Sequence, residues 1–366
     1  MYDAVRTPRG KAKAEGGLAA LAPHELVKQQ VDALRLRVGD AVGAPEALLL
    51  GCVGQVGDQG GNIALISKLH ACLPDMTAAH SINNYCASGL SAIGHAAAMV
   101  GSGQASAVLA GGVECMSRVP FMADKASYYT DASFPARTRY IPVVLAADRL
   151  AATEGFSRTE LDAVALVSQQ KAAAAESNAA LIRSRIPTGS LMAEECIRPR
   201  TDAASLAALP PAFGALQDQY ADVLQGGRFA PLHTLNHAPP ICDGAAMASI
   251  GAAGLGNPRA RILSFAESGG DPVASLTAGF AAMAKALAKA GLTLADIDRI
   301  EFMESFAVTI ARFLRDGDVD PAKVNVSGGH IAKGHPMGAS GAILTSTLLD
   351  CLDDADGTLG LVVVSG

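Results

Sequence analysis

The chain has 366 residues, of which half are apolar and only 17% are charged, and its net charge is −6. This length exceeds the ~250–300 residues at which one hydrophobic core stops growing, so two or three packed units are expected. An acidic chain has no electrostatic footprint for nucleic acid or an anionic membrane, and no apolar run reaches the ~18 residues of a membrane span.

The seven cysteines are scattered, and no two of them form a Cys-x-x-Cys motif. An odd number with this spacing favours free thiols in a reducing compartment over a disulfide framework. The opening residues lack the basic region and apolar stretch of a secretory signal. We therefore expect a cytoplasmic location.

Helical and strand patterns alternate in the first part of the chain. Apolar residues with helical spacing and short buried runs follow one another between Gly, Pro and Asn. They predict helices at His24–Leu36, Asn62–Leu73 and Leu90–Gly101, and strands at Glu46–Cys52, Ala78–Asn83 and Ala105–Gly111. This alternation predicts crossover connections and a mostly parallel sheet.

A less regular stretch follows, from Arg118 to about Thr234. It contains one predicted amphipathic helix, Thr159–Ala175, together with Pro-rich turns. Long insertions at the carboxyl ends of strands commonly build substrate sites. We therefore expect this stretch to border the site.

The order of the first part returns near the end of the chain. The patterns there predict helices at Ala282–Ala290 and Ala342–Leu352, strands at Asp298–Met303, Lys323–Val326 and Leu359–Val364, and a glycine-rich turn at Gly328–Gly341. This second series indicates that one arrangement occurs twice.

Two pairs of equivalent positions support such a duplication. Cys52 and Met303 end corresponding strands 251 residues apart, and Cys86 and His335 enter corresponding helices 249 residues apart. A nearly constant offset indicates an internal repeat. We expect a first half at residues 1–117 and 235–250, an inserted loop unit at 118–234, and a second half at 251–366.

Cys86 is the cysteine placed best for chemistry, because it lies after a predicted strand and at the entrance of a predicted helix. The positive end of a helix dipole lowers the pKa of a thiol. The backbone N–H of Cys86 is also placed to stabilise an oxyanion. A buried structural thiol is the alternative, and it is preferred for the other six cysteines.

His335 occupies the equivalent position in the second half, within Gly334-His335-Pro336. An imidazole there can take the proton of Cys86 and complete a nucleophilic pair. Its alternative role is to satisfy the loop backbone. Glu304 follows the strand equivalent to the one before Cys52, where it can orient a partner or cap a helix.

At these residues the chain resembles a known family, the thiolases. The resemblance covers essentially the whole length and is carried by six motifs in order. They are Val5-Arg6-Thr7-Pro8, Cys86-Ala87-Ser88-Gly89-Leu90, Ala110-Gly111-Gly112-Val113-Glu114-Cys115-Met116-Ser117, Asp243-Gly244-Ala245-Ala246, Glu304-Ser305-Phe306-Ala307, and the stretch from Asn325-Val326-Ser327-Gly328-Gly329 through Gly334-His335-Pro336 to Gly341.

The resemblance implies an α/β thiolase fold, with two duplicated doubly wound halves packed together and an inserted loop domain that binds coenzyme A. It further implies an acyl-CoA acyltransferase of fatty acid metabolism that forms a homodimer or homotetramer and needs no metal. Coenzyme A and acyl-CoA are then its substrates and products, Cys86 carries the acyl group, and His335 is the base.

The resemblance also assigns other positions. Those given to oxyanion stabilisation or to the shape of the site are Met303, Glu304, His330 and Gly366. Those given to substrate or coenzyme A are Ser88, Met116, His237, Pro239, Phe306 and Met337.

The chain departs from the family pattern at several of these positions. Ser365 stands where the family has a second cysteine that moves the α-proton, and serine is a poor proton shuttle near neutral pH. Met303 replaces an Asn that holds an oxyanion-hole water, and Pro239 replaces a serine that contacts pantetheine. His330 and Lys333 stand at usually apolar positions, and Lys333 is similar to the sterol-carrier type.

Three functions remain open at this point. An atypical thiolase that favours thiolytic cleavage of 3-ketoacyl-CoA, or acetyl transfer, is the first. A thiolase-fold protein that binds acyl-CoA with impaired turnover is the second, and a decarboxylating ketoacyl synthase is a weaker third. Relative to the resemblance, Met1 falls near the end of the first strand and Gly366 within the last. Aromatic residues make up only 4% of the chain, so no aromatic pocket wall is expected.

Overall fold

Short runs of Leu, Val and Ala between glycine-rich turns form the strands, as expected for residues buried on both faces of a sheet. The computed structural model describes residues 1–39, 44–224 and 227–366. Within them the strands are β1 (Asp3–Arg6), β2 (Gly10–Lys11), β3 (Ala47–Gly51), β4 (Ala78–Ile82), β5 (Ala107–Cys115), β6 (Cys242–Gly251), β7 (Arg299–Phe302) and β8 (Gly360–Val363).

The predicted helices are all present, with ends that differ by a few residues from the sequence-based bounds. In the described residues they are α1 (Pro23–Val38), α2 (Ile63–His70), α3 (Ser88–Gly101), α4 (Val143–Thr153), α5 (Arg158–Ala175), α6 (Ala203–Ala207), α7 (Leu216–Gln219), α8 (Ala278–Ala290), α9 (Ala307–Asp316), α10 (His330–Lys333) and α11 (Ser340–Asp354). No helix among them is long and apolar enough to cross a bilayer.

The strands of the first half form one sheet, in the order β1-β6-β5-β3-β4 with β2 beside β6. Strand β3 pairs in parallel with β4 and β5, whereas β6 pairs antiparallel with β1, β2 and β5. Five of the six strands therefore point the same way and only β6 is reversed, which agrees with the prediction of a mostly parallel sheet. Strand β6 follows the long insertion and enters the sheet without a helical crossover, which leaves it free to run the other way.

Alternate residues of β3 bury opposite faces of this sheet, because successive side chains of a strand point to opposite sides. Leu48 and Leu50 belong to the core beneath α1 and α2. Leu49 belongs to the other core, with Ile93 of α3 and Ile343 of α11. A helix of the second half therefore covers the sheet of the first.

The second half contains the two-stranded parallel sheet β7-β8 within the described residues. The predicted strand Lys323–Val326 is wrong, since only a single bridge joins Val324 to Ile300. Asn325 has a left-handed φ of 45°, and its side-chain amide exchanges two hydrogen bonds with the backbone of Phe302. That side chain takes the place of a continued strand ladder.

Two further expectations differ from the structure. The predicted glycine-rich turn contains the short helix α10 and a 3₁₀ turn at Met337–Ala339. Gly366 lies beyond the end of β8, which stops at Val363, rather than within the last strand.

Helices α3 and α11 cross in close contact because glycines line their crossing point. A Cβ atom added at Gly89 would lie 2.7 Å from the carbonyl oxygen of Gly338. One added at Gly341 would lie 2.6 Å from the Cβ atom of Leu90. This approach brings the start of one helix from each half together, which places the candidate site at their junction.

Candidate active site

Cys86 lies in a tight turn between β4 and α3. Tyr85, just before it, has a left-handed φ of 45°. The hydroxyl of Ser88 accepts a hydrogen bond from the Asn84 N–H at 2.8 Å and donates one to the Tyr85 carbonyl at 2.5 Å. Ser88 is buried, so the structure gives it the role of bracing this turn.

His335 faces Cys86 across the junction of the halves. Its Nε2 lies 3.1 Å from the Cys86 Sγ, and its Nδ1 lies 2.6 Å from the Ser340 Oγ. The backbone N–H of His335 donates to the Pro240 carbonyl at 2.8 Å. Cys86 is thus placed as the nucleophile, His335 as its base, and Ser340 as the group that orients the base, which is the arrangement that nucleophilic catalysis requires.

Burial sets the protonation of this pair. Burial, and then the nearby Glu114 carboxylate, raise the pKa of the Cys86 thiol to about 12. Burial, and then the Arg9 charge, lower the pKa of His335 to about 3. The position at a helix start was expected to lower the pKa of the thiol, but the effect of burial is larger than the effect of the helix dipole. The resting pair is therefore a neutral thiol beside a neutral imidazole that accepts at Nε2 and donates from Nδ1 to Ser340.

A cavity of about 350 Å³ opens beside this pair. Nine of the residues singled out from the sequence border it, namely Cys86, Met116, Pro239, Met303, Phe306, His335, Met337, Ser365 and Gly366. Aromatic side chains of the insertion close one side of it. The expectation of no aromatic wall is therefore wrong, because the few aromatic residues gather at this one place.

Ser365 borders the cavity without a polar contact to the pair. Its Oγ is buried and has no hydrogen-bond partner among the described residues. It points at the start of α8, where a Cβ atom added to Gly279 would lie 2.3 Å from it. Gly366 packs on the nucleophile instead, since a Cβ atom added there would lie 2.9 Å from the Cys86 backbone nitrogen.

Met303 provides an apolar wall next to the nucleophile. It is buried in a cluster with Leu344 and Val364, against which Cys86 and Leu90 pack. A thioether is at most a weak hydrogen-bond acceptor. Met303 therefore gives this part of the cavity an apolar surface.

Four of the singled-out residues lie outside the cavity lining. Besides Ser88 these are Glu304, His330 and His237. The Glu304 carboxylate accepts from the Ser168 hydroxyl at 2.7 Å and from the Ile331 N–H at 2.9 Å, so it anchors the start of α10 behind the site.

The two histidines of this group are fully buried. The Nε2 of His237 lies 2.7 Å from the Asp162 Oδ1, which ties the segment before β6 to α5 of the insertion. The ring of His330 packs edge to face on His335, with 5.3 Å between ring centroids. Both of its nitrogens lack a hydrogen-bond partner among the described residues, and burial lowers its pKa well below the usual range.

Glu114 is a candidate functional residue that was not singled out from the sequence, where it appeared only as one member of a motif. Its carboxylate accepts from the N–H groups of Val53 at 2.9 Å, Gly54 at 3.0 Å and Gly338 at 3.0 Å. Gly338 lies three residues after His335 and belongs to the other half. Glu114 therefore fixes the loop of the base to the sheet of the nucleophile. Its position at the end of a buried strand is the sequence feature that could have identified it.

A cluster of buried charged residues contacts the backbone next to His335. The Glu194 carboxylate lies 2.6 Å from the Arg6 Nη1 and 3.2 Å from the Arg9 Nε. Arg9 also donates from Nη1 to the Gly334 carbonyl at 3.2 Å. Lys333 lies nearby and donates to the Ser327 hydroxyl at 3.0 Å. Despite these charges, no group of His, Cys, Asp and Glu in the described part of the chain could hold a metal ion.

Replacing Ser340 by alanine is expected to slow alkylation of Cys86 by iodoacetamide about five- to tenfold, because losing one such hydrogen bond costs about 1 kcal/mol. The imidazole would then lose the group that holds its proton on Nδ1. Ser346→Ala is the matched control, since the Ser346 hydroxyl on the same helix donates only to the Ile343 carbonyl. Equal rates for the two variants would contradict the orienting role.

A partly buried thiol beside an imidazole, at the junction of two α/β halves, is the arrangement of enzymes that work through a covalent cysteine intermediate. Two family models match the chain, described as Thiolase, N-terminal domain, over residues 1–217 and Thiolase, C-terminal domain, over residues 256–366. The chain belongs to the thiolase family. The resemblance stated from the motifs and the α/β thiolase fold are confirmed.

Curated relatives match along the whole chain. A 3-ketoacyl-CoA thiolase of Shewanella baltica is 33% identical over 389 aligned positions, which cover 100% of this chain and 95% of the relative. The 3-ketoacyl-CoA thiolase FadA of Escherichia coli is 35% identical over 382 positions, with the same coverage of both chains.

Proposed function

We propose that the protein is an acyltransferase that cleaves 3-ketoacyl-CoA with coenzyme A, through an acyl group carried on Cys86. The observation that carries the proposal is the 3.1 Å contact between the His335 Nε2 and the Cys86 Sγ. The full-length match to proteins named 3-ketoacyl-CoA thiolase supports the same reaction.

In the first step the Cys86 thiol gives its proton to the His335 Nε2 as its sulfur attacks the 3-keto carbon of the substrate. The bond between the second and third carbons breaks, and acetyl-CoA leaves as a carbanion. That carbanion takes the proton held by His335, which gives acetyl-CoA and returns the imidazole to its neutral form. The acyl group remains on Cys86 as a thioester.

In the second step coenzyme A takes the acyl group. Its thiol loses a proton to His335, its sulfur attacks the thioester carbonyl, and the Cys86 sulfur leaves. The same proton returns to Cys86, so charge and protons balance at the end. His335 serves both steps, because the Ser365 hydroxyl has no hydrogen-bonded base among the described residues and a hydroxyl is a poor proton shuttle on its own.

The Cys86 backbone N–H is the proposed donor to the oxyanion of both steps. A Cβ atom at position 366 would lie 2.9 Å from this nitrogen, so a glycine there leaves it open to a substrate oxygen. The neighbouring Met303 lines the cavity with an apolar thioether, and a low-polarity site strengthens the hydrogen bond that remains.

The proposal is tested by trapping the acyl-enzyme. The protein is incubated with acetoacetyl-CoA, denatured in acid and weighed intact. We expect an added acetyl mass that is absent from Cys86→Ala, and release of that mass when coenzyme A is added. An acetyl-free protein that still binds acetoacetyl-CoA would contradict the proposal and support the alternative of a binding protein with impaired turnover.

We also propose where the protein is located and which molecules it binds. Acyl-CoA and coenzyme A are the proposed partners, with the loop unit at 118–234 as the part that binds coenzyme A. All seven cysteines are free thiols, which supports the proposed cytoplasmic location.

We also propose a homodimer, or a tetramer built from dimers, through the edge of the first sheet. Strand β4 pairs only with β3 on the described sheet, and its residues are exposed or half-buried along its whole length. Two large apolar side chains, Leu69 and Met76, lie exposed in the segments that precede it. Unpaired edges of this kind pair readily with a second chain.

Sedimentation measurements test this interface. We expect a dimer for the unmodified protein and a larger monomer fraction for Met76→Asp. Leu235→Asp is the matched control, because Leu235 is also largely exposed but lies in the 3₁₀ turn Leu235–His237 that precedes β6. A dimer that is unaffected by Met76→Asp would place the interface elsewhere.

A further inference from the structure

The cavity beside Cys86 is small for the molecule that it is proposed to hold. Its volume of about 350 Å³ corresponds to roughly a dozen groups the size of a water molecule. The pantetheine arm of coenzyme A must reach Cys86 through the same space. Only part of that volume then remains for the acyl group.

Two tyrosines from the insertion close one side of the cavity. The rings of Tyr128 and Tyr140 lie 5.9 Å apart at an interplanar angle of 74°. Behind Tyr128 lies the Phe134 ring at 5.9 Å, and behind Tyr140 lies the Tyr129 ring at 5.2 Å. Such edge-to-face packing leaves no channel between the rings.

The segment that carries this wall is held in place by Arg139. Its Nε donates to the Phe134 carbonyl at 3.3 Å, and its Nη2 donates to the Ala132 carbonyl at 2.6 Å. Its Nη1 pairs with the Asp222 carboxylate. A guanidinium with these partners fixes the loop between Phe134 and Tyr140, so the wall is preorganised.

The closed side suits the end of an acyl chain better than it suits coenzyme A. The phosphates of coenzyme A are charged and must stay hydrated, so that part of the molecule leaves the cavity on an open side. A packed aromatic wall offers an apolar chain end a dry contact and then stops it. Extra methylenes would have to displace rings that are braced from behind.

We propose that Tyr128 and Tyr140 determine specificity by restricting the acyl group to short chains. This inference rests on the proposed function, since it concerns the acyl group that Cys86 carries. It gives a role to aromatic residues that the catalytic steps do not use.

The test is kcat/KM for thiolysis of acetoacetyl-CoA, 3-ketohexanoyl-CoA and 3-ketododecanoyl-CoA. For the unmodified protein we expect a fall of at least about tenfold from the hexanoyl to the dodecanoyl substrate, because excess methylenes lose their apolar contact. In Tyr128→Ala and Tyr140→Ala we expect the dodecanoyl-to-acetoacetyl ratio to rise by roughly tenfold, since each newly buried methylene contributes about a fourfold gain.

Tyr220→Ala is the matched control, because Tyr220 lies in the same insertion but packs in a separate cluster and does not line this cavity. It is expected to leave the ratio unchanged. Melting temperatures of the variants show that each remains folded. Acyl-Cys86 masses are recorded with every substrate, so that binding without turnover is recognised.

The outcomes separate the two proposals. No acyl-enzyme with any substrate, acetoacetyl-CoA included, would overturn the proposed function. Turnover that is equal for short and long chains, or a ratio that no tyrosine variant changes, would overturn only the chain-length role. A uniform rise in KM for coenzyme A in both tyrosine variants would also overturn it, because it would place the tyrosines against the pantetheine arm.

Discussion

Replacing His335 by glutamine is expected to lower the rate of Cys86 acylation by roughly a hundredfold to ten-thousandfold, the usual contribution of a positioned base. Burial raises the pKa of the Cys86 thiol to about 12, so almost no thiolate forms near neutral pH without a base in contact. Glutamine keeps much of the volume of histidine but cannot accept the thiol proton and hold it.

The measurement is the rate of acyl-enzyme formation, followed by intact mass, together with the rate of iodoacetamide alkylation between neutral and alkaline pH. In the variant, alkylation should rise steadily with pH, because hydroxide must now remove the proton. His95→Gln is the control, since His95 lies on α3 but is half exposed and distant from the thiol contact. A His335→Gln variant that acylates at the unmodified rate would show that Cys86 has another base.

The second large effect is on stability, and it comes from Glu194. Replacing Glu194 by glutamine is expected to lower the free energy of unfolding by about 3–5 kcal/mol, the range for breaking a buried ion pair. Both of its partners, Arg6 and Arg9, are almost completely buried, so two guanidiniums would lose their carboxylate inside the protein. Denaturant titration measures the loss.

The same carboxylate predicts a pH dependence. Its contacts with Arg9 and Arg6 hold the pKa of Glu194 far below its usual range. A depressed folded-state pKa gives stability that is fully present above the unfolded pKa, at about 4.3, and that is lost as the pH falls below it. The melting temperature of the unmodified protein should therefore fall more steeply in acid than that of Glu194→Gln.

Glu195→Gln is the matched control for both measurements. The Glu195 carboxylate accepts only from the backbone of Lys11 and Gly17, near the surface. Its loss should cost much less than that of Glu194. Equal losses for the two variants would contradict the central place given to the buried cluster.

The relation between Cys86 and His335 could be predicted from the sequence, because a duplicated chain repeats its geometry. One offset placed both residues at equivalent helix starts. The contact of the His335 Nδ1 with Ser340 could not be predicted in the same way, since Ser340 is one of several small residues in that turn. Only the path of the backbone shows which hydroxyl reaches the ring.

Other features have equally local causes. The direction of β6 depends on how the long insertion returns the chain, which no periodic pattern records. The strand-end position of Glu304 allowed two roles, orienting a partner or capping a helix, and its contact with the Ile331 N–H shows that it caps α10. The aromatic residues at Phe121, Tyr128 and Tyr140 are few in the composition, and only folding concentrates them at one wall.

The division of the pair between two halves has a consequence for how the protein acquires activity. Cys86 and His335 lie in the turns that precede α3 and α11, 249 residues apart in the chain, and each half builds its own sheet. A half that has folded alone therefore has a nucleophile without a base, or a base without a nucleophile. In a refolding experiment, the recovery of Cys86 reactivity would report the docking of α3 on α11. The recovery of secondary structure would report only the earlier folding of the separate halves.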